Sequence, residues 1–207
     1  MYSSCSNVFF GNHIKRDAKG GDGIFLTDSS DGNLFKNNVI VNHKDGIRLF
    51  AGSDGNGFTG NIIRNNTRFG IYFESACNDN TISENTFSNN AQCGIYFANA
   101  GYGNSIYHNN FLKNKNHVHN QGDNTWDDGW KGNYWDDYES RYPEARKTLR
   151  GTWNMPYELD DTNVDRYPLM KPYTHAKENL MSRLVALLPD GDLLKTLFLE
   201  PIFIELI

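Results

Sequence analysis

Short apolar patches separated by Asn, Gly and Ser recur along most of this chain, with a period of 23 to 24 residues after a longer first copy. Each copy reads Asn-x-[Phe/Ile]-x-x-Asn-x-[Ile/Phe], then a polar turn, then Gly-Ile-x-[Leu/Phe]. A fixed period of this size is typical of a solenoid. The patches alternate inward and outward residues as strands do, and they show no helical period. The pattern therefore predicts three short strands in each coil.

Residues one period apart are expected to lie directly above one another, so that like residues form columns. The inward columns are Phe9, Phe35, Phe58, Ile82 and Ile106; Ile14, Ile40, Ile63, Phe87 and Phe111; and the pairs Ile24/Leu26, Ile47/Leu49, Ile71/Phe73 and Ile95/Phe97. In the last copy His117-Val118 takes the place of Gly-Ile. We expect an all-β fold, a parallel β-helix of triangular section with about five coils.

Two columns of asparagine flank the first apolar patch. They are Asn7, Asn33, Asn56, Asn80 and Asn104, and Asn12, Asn38, Asn61, Asn85 and Asn109. Asn tolerates a left-handed backbone, so we expect the second column to adopt that conformation at a sharp corner. Stacked side-chain amides also hydrogen-bond to one another, which predicts a ladder from coil to coil.

The composition changes twice after the coils, which we assign to residues 1–121. An insertion at 15–21 is expected to form a loop at one corner. Residues 122–173 are rich in Trp, Tyr and Asp and predict a cap, in which Trp126 continues the column of Phe58 and roofs the core. Residues 174–207 predict a short helical tail, interrupted by Pro189. We expect the tail to cover a flank of the solenoid or to mediate self-association.

Charge and cysteine content narrow the choice of partners and location. A formal net charge of -5 disfavours a nucleic-acid surface, which needs a basic stripe. The sequence has no apolar run of about 20 residues to span a membrane. Cys77 and Cys93 fall at different points of their coils, and Cys5 lies about three coils below Cys77, which predicts free thiols. The chain starts in mid-repeat without a signal peptide, so we expect it to be the C-terminal portion of a longer protein.

The Gly-Ile strand also carries one outward residue in each coil, and these residues form what we call the outer row. Its members are Phe25, Arg48, Tyr72, Tyr96 and His119. Successive members are expected to lie about 4.8 Å apart. Since sugar rings stack on aromatic side chains, the outer row predicts a polysaccharide-binding track. Aromatic side chains also stack on one another and stiffen a β-helix, so a structural role remains open.

Two acidic residues raise a catalytic alternative. Asp22 and Asp45 precede the Gly in adjacent coils, so their carboxylates are expected to lie about 5 Å apart, close to Arg48. Two close carboxylates can bind Ca²⁺ or act as acid and nucleophile on a glycoside. Asp-Gly is also a common turn signal, which is the alternative interpretation.

The histidines offer a weaker signal for a metal. His117 and His119 are expected to point to one face of a strand, an arrangement that can hold a metal ion. The sequence offers no third ligand at a suitable spacing, so we expect a solvated surface pair with no bound metal and no cofactor.

The cap carries a characteristic set of motifs, Trp126-Asp127-Asp128-Gly129, Gly132-Asn133-Tyr134-Trp135-x-Asp137-Tyr138 and Asp165-Arg166-Tyr167-Pro168-Leu169. With these motifs the chain resembles right-handed β-helix proteins of the pectin-lyase-like superfamily, grouped with NosD and with carbohydrate-binding and sugar-hydrolysis domains, in the variety found on archaeal surfaces. The resemblance implies a role with glycans at the cell surface or outside the cell.

Several functional sets of this superfamily are missing from the sequence. Many such caps have a calcium loop before a Pro-Tyr pair, but residues 146–151, which precede Pro156-Tyr157, lack carboxylates. The catalytic sets of the galacturonases and alginate epimerases are absent. For copper insertion of the NosD kind, the sequence offers no Met or His cluster beyond His117 and His119.

These observations favour a cell-surface or secreted β-helix module that binds polysaccharide along the outer row without an evident catalytic motif. One alternative is a polysaccharide lyase or glycoside hydrolase that uses Asp22, Asp45 and Arg48. The other is a structural surface or assembly module.

Overall fold

The computed structural model describes residues 1–17, 20–98 and 101–174. Nearly all of them belong to the first of two units into which the chain divides, Met1–Tyr173. Of the second unit, Thr174–Ile207, the structure describes Thr174 alone, so the predicted helical tail lies outside the described residues. The predicted loop at 15–21 begins as β2 ends at Lys15, and its residues 18–19 are likewise not described.

The described coils form three parallel sheets, as the repeats predict. Sheet 1 consists of β1 (Val8–Phe10), β4 (Leu34–Lys36), β7 (Gly57–Thr59), β10 (Thr81–Ser83) and β13 (Ser105–Tyr107). Sheet 2 consists of β2 (His13–Lys15), β5 (Val39–Val41), β8 (Ile62–Arg64), β11 (Thr86–Ser88), β14 (Asn110–Leu112) and β16 (Tyr134–Trp135). Sheet 3 consists of β3 (Ile24–Leu26), β6 (Ile47–Leu49), β9 (Phe69–Phe73), β12 (Cys93–Phe97) and β15 (Asn116–His119). The prediction of an all-β parallel solenoid of about five coils is confirmed.

The register of the strands follows the repeat, and this register builds the core. Phe58 pairs with Ile82 in sheet 1, and Ile47 pairs with Ile71 in sheet 3. All four of these side chains are fully buried. Burying one such side chain contributes about 1.5–3 kcal/mol. Because strands this short cannot bury an apolar face alone, the coils depend on their neighbours for stability.

The two predicted asparagine ladders are present inside the corners. Asn61 shows the geometry: its backbone N–H and its Nδ2 donate to Oδ1 of Asn85 at 2.8 and 2.9 Å. The same Nδ2 donates to the carbonyl of Phe35 at 2.8 Å. Each buried amide is thereby satisfied from the coils above and below, which fixes the spacing of the coils.

The left-handed residues lie one position earlier than the sequence analysis predicts. Asn38 and Asn85 do not have a positive φ, whereas the residues before them, Asn37 and Glu84, have φ values of 55° and 62°. The prediction for the second asparagine column is therefore wrong. The preceding residue makes the left-handed step, and the asparagine side chain then points into the corner and joins the ladder.

A third ladder at the corner between sheets 2 and 3 was not predicted. It runs from His43 through Asn66 and Asn90 to Asn114, with Nδ2 of Asn66 donating to Oδ1 of Asn90 at 2.9 Å. Its period is the same as that of the other two ladders, which is the signal that could have identified it.

The glycine of the Gly-Ile pair is required by the stacking of the coils. A Cβ atom on Gly70 would lie 2.4 Å from the carbonyl oxygen of Gly94 and 2.9 Å from the ring of Phe87. His117 occupies the next position in this column, on β15, the terminal strand of sheet 3. Since the described residues include no further strand of this sheet above β15, a large side chain is accommodated there.

The cap closes the core with stacked aromatic rings. Trp126 continues the column of sheet 1 and is 1% exposed, so the prediction that it roofs the core is confirmed. Trp135 stacks on Phe111 with ring centroids 4.4 Å apart, and Tyr157 stacks on Trp135 at 4.3 Å. The remaining elements of the cap are α1 (Tyr138–Arg141) and the antiparallel pair β17 (Tyr157–Glu158) and β18 (Val164–Asp165).

The three cap motifs meet in one hydrogen-bond network. Arg166 donates to both carboxylate oxygens of Asp127, at 2.9 and 2.7 Å. Asp165 accepts from the backbone N–H of Asn133 and from Nε1 of Trp135, at 2.7 and 2.8 Å. Buried polar groups that are satisfied in this way fix the arrangement of the segment that contains them.

The described residues contain three free cysteines and no helix that could span a membrane. Cys5 is an exposed free thiol, and Cys77 and Cys93 are buried free thiols, as predicted. Among the described helices, none has the length and apolar character needed to cross a bilayer.

Candidate functional site

The outer row lies on sheet 3 in the predicted register. Arg48 pairs with Phe25 on one side and with Tyr72 on the other, and Tyr96 pairs with Tyr72 and with His119. Four of the side chains are half-buried and His119 is exposed. The predicted alignment of these five residues is confirmed.

The faces of the rings in this row are turned toward one another. Tyr96 stacks on Phe69 of the coil below and on His119 of the coil above, each at a centroid distance of 4.4 Å. The guanidinium of Arg48 covers the ring of Phe25 at 4.8 Å. A ligand on this sheet would therefore meet the edge of Tyr96 and not its face. This arrangement favours the structural role that the sequence left open for the aromatic row.

The candidate catalytic carboxylates are each paired with an arginine. Arg48 donates to Asp22 at 3.4 Å and also binds Glu74. Asp45 is fully buried and accepts from Nε and Nη2 of Arg68 at 3.0 and 2.5 Å. Burial and the negative charge of Asp45 raise the pKa of Asp22. Because the carboxylate of Asp45 has no contact with solvent, the catalytic alternative loses one of its two acidic groups.

A second group of side chains forms where the last coil meets the cap. Nε2 of His117 lies 3.0 Å from Oδ1 of Asp136 and 3.2 Å from Oδ1 of Asp137. One ligand atom from each of these three residues lies within 4.8 Å of the other two, which makes them a possible metal site among the described residues. We call this group the His117 cluster. It comes from two elements, since His117 is on β15 and both aspartates follow β16.

The His117 cluster is held by further hydrogen bonds. Asp136 accepts from the backbone N–H of Lys113 at 2.7 Å, and Asp137 accepts from the hydroxyl of Tyr157 at 3.1 Å. Burial opposes the charge on Asp137, but hydrogen bonds from His117 and Tyr157 and the positive charge of Arg141 outweigh it and lower its pKa. Asp137 is therefore a carboxylate at neutral pH. Contacts of this kind orient the ligands of metal sites.

The sequence-based expectation for the histidines is wrong. His117 and His119 do not form a solvated surface pair, because His117 is only 9% exposed and lies beside the rings of Phe111 and Trp135. His119 instead stacks on Tyr96 in the outer row. Two of the three members of the cluster, Asp136 and Asp137, come from the cap. They lie outside the repeat, so the period of the coils does not predict their position.

The donor atoms of the His117 cluster suit a divalent ion of intermediate hardness. One imidazole nitrogen and two carboxylate oxygens are ligands of Cu²⁺, Zn²⁺ and similar ions, whereas Cu⁺ prefers thiolate and thioether sulfur. Nδ1 of His117 is buried and has no hydrogen-bond partner among the described residues, which leaves Nε2 as the atom with contacts. A cavity of about 280 Å³ adjoins the cluster and gives an ion access from solvent.

The fold defines this chain as a parallel β-solenoid whose last coil and cap hold a histidine and two aspartates. Its residues 1–140 match the family described as periplasmic copper-binding protein (NosD). The match covers more than half of the chain, and the chain belongs to this family. All three residues of the His117 cluster lie within the matched range. The family is described as periplasmic, a compartment outside the cytoplasm.

Two further comparisons gave no relative. No curated protein and no solved structure matches the chain significantly.

Proposed function

We propose that this chain is a metal-binding β-solenoid domain that acts outside the cytoplasm, and that the His117 cluster binds a divalent ion such as Cu²⁺. The observation that carries the proposal is the convergence of one imidazole and two carboxylates, with donor atoms 3.0 and 3.2 Å apart, at the mouth of a cavity. When bound, the ion supplies positive charge and open coordination positions. The family description supports copper as the ion.

The proposal is for copper in its divalent state. Cu⁺ is held best by sulfur ligands, and the buried cysteines are poor candidates for that role. Burial raises the pKa of Cys77 and of Cys93 to about 11, so both thiols stay protonated at neutral pH. A thiol binds metal as its thiolate, and these two are therefore inert.

Binding at this position would join two parts of the domain. His117 belongs to the last strand of sheet 3, and the two aspartates belong to the segment that leads from β16 into α1. A ligand that binds the folded state alone stabilises it by an amount that rises with the logarithm of the ligand concentration relative to Kd. We therefore expect a bound ion to hold the cap onto the last coil.

The first prediction concerns copper affinity. Calorimetric titration of the full chain with Cu²⁺ is expected to give one site per chain and a higher melting temperature at saturation. His117→Ala is expected to weaken this site by at least about 100-fold, because losing a residue that merely orients a ligand already costs about 10–100-fold. His119→Ala, an exposed histidine on the same strand, is the matched control and should leave the affinity unchanged. Equal affinity in wild type and His117→Ala would refute the proposal.

Polysaccharide binding along sheet 3 is the second candidate function. It is supported by a shallow cavity of about 390 Å³ beside Tyr96, His119 and Lys115, which continues the outer row at its upper end. His119 is the last residue of the row: one face of its ring stacks on Tyr96, and no described ring stacks on the other face. A glycan would stack on this face and meet the hydroxyl edges of Tyr72 and Tyr96. A cell-surface or extracellular location accords with this function.

The second prediction separates this candidate from a structural role of the outer row. On a glycan array, the wild-type chain is expected to be retained by at least one extended polysaccharide. The double variant Tyr96→Ala with His119→Ala is expected to reduce this retention by about tenfold, since stacking on an aromatic ring contributes roughly 1 kcal/mol or more. Tyr102→Ala, an exposed tyrosine outside sheet 3, serves as the control. Retention that is absent, or equal in all three proteins, favours the structural role.

A further inference from the structure

The cavity beside the His117 cluster contains positive charge as well as metal ligands. Its walls include Lys115 from the corner before β15 and Arg141 from the end of α1. The same walls include the two aspartates of the cluster, so two cationic and two anionic side chains line the cavity. A metal ion is bound by neutral imidazole, and a divalent ion would leave the cavity with two net positive charges.

Arg141 is fixed in this position before any ligand arrives. Its Nη2 donates to the backbone carbonyl of Glu158 at 2.6 Å, and its guanidinium lies over the ring of Tyr157 at 4.6 Å. Tyr157 in turn donates its hydroxyl to Asp137. Arg141 therefore contacts Tyr157, the residue that also holds Asp137 of the cluster. A guanidinium held in this way loses little side-chain entropy when it binds an anion.

A metal bound by the three residues of the His117 cluster would also have open coordination positions for a further ligand. Three protein ligands are fewer than the four that a tetrahedral site needs, and fewer still than the number taken by tetragonal Cu²⁺. Asn116, an exposed residue at the start of β15, lines the same cavity and adds a polar group to its wall. The volume of about 280 Å³ lies near the lower end of the range for small-molecule sites, which suits a small organic acid.

Resting on the proposed function, we infer that the metal-loaded cavity binds a carboxylate, with one carboxylate oxygen on the ion and the other facing Arg141 and Lys115. The class of ligand is a small carboxylic acid or the carboxylate group of a larger acidic molecule. The metal-free cavity lacks the charge and the open coordination positions of the ion, and it binds such an anion far more weakly.

The inference is tested with the copper-loaded full chain and acetate as the probe. Acetate is expected to change the electron paramagnetic resonance spectrum of the bound copper saturably, while neutral acetamide leaves it unchanged. In the double variant Lys115→Gln and Arg141→Gln, the half-saturating acetate concentration is expected to rise by at least about tenfold, because two charge-assisted hydrogen bonds are lost. Lys36→Gln with Arg64→Gln, two exposed residues of β4 and β8, is the matched control.

Each outcome has one meaning. If copper binds but acetate has no effect, or acts equally in wild type and in the double variant, this inference is overturned and the proposed function stands. If the wild type takes up no copper, the proposed function fails and this inference fails with it. Should the double variant not fold, Lys115→Gln alone is used, because Lys115 is exposed. Loss of its charge is expected to raise the half-saturating acetate concentration by about threefold.

Discussion

Replacing Asp165 with alanine is expected to destabilise the cap by about 3–5 kcal/mol, because three buried hydrogen-bond donors lose their acceptor. Asp165 is fully buried and accepts hydrogen bonds from the backbone N–H groups of Asn133 and Tyr167 and from Nε1 of Trp135. Alanine would leave all three donors without an acceptor, and each costs about 1–3 kcal/mol when it stays unsatisfied. The effect would appear as a lower midpoint of urea unfolding, followed by tryptophan fluorescence.

Asp161→Ala is the matched control for this prediction, because Asp161 is an exposed aspartate of the same cap. Burial raises the pKa of Asp165 to about 7, so the stability of the wild type falls as the pH rises from about 4 toward 7, and all proteins are compared at one pH, pH 5. A midpoint for Asp165→Ala that equals those of wild type and Asp161→Ala would show that the three cap motifs do not depend on this carboxylate.

Gly70→Ala is expected to destabilise the solenoid by about 3 kcal/mol, at the upper end of the usual cost of overpacking a core. The added Cβ would lie 2.4 Å from the carbonyl oxygen of Gly94 and 2.9 Å from the ring of Phe87. The first contact is with backbone, so it is relieved only if the coils move apart. Such a movement would lengthen the ladder hydrogen bond from Asn66 to Asn90, which lies at the same corner.

Gly57→Ala provides the comparison for this prediction. A Cβ at Gly57, also in a strand, would meet only the flexible end of Leu34, at 3.0 Å. We expect its unfolding midpoint to stay close to that of the wild type. If Gly70→Ala and Gly57→Ala unfold at the same urea concentration, stacking of the coils does not explain the glycine column.

Most of the solenoid could be predicted because its residues are related by one period. Once Ile47 and Ile71 are known to occupy equivalent positions, the pairing of their strands and the burial of their side chains follow. The repeat predicts which asparagines stack, but the left-handed backbone belongs to a different residue from the one expected. Asn38 was expected to take it, and Asn37 does. A side chain that tolerates a conformation does not show which of two adjacent asparagines adopts it.

The candidate site was harder to predict because its residues come from both the repeats and the cap. The sequence shows that His117 replaces the glycine in the last copy of the repeat, which indicates that a side chain has space at this position. The distance from His117 to Asp136 and Asp137 is set by the pairing of β16 in sheet 2 and by the stacking of Trp135 on Phe111. Neither contact follows from the repeat. The ion pair of Asp45 with Arg68 was not predicted, because Arg48 was the cation expected close to Asp22 and Asp45.

The electron paramagnetic resonance spectrum of the full chain with one equivalent of Cu²⁺ is the most direct test of the claim that the last coil and the cap together form a metal site. We predict coupling to a single imidazole nitrogen, and we predict that this coupling disappears in His117→Ala and persists in His119→Ala. A spectrum without nitrogen coupling, or one that is the same after the loss of His117, would contradict the account.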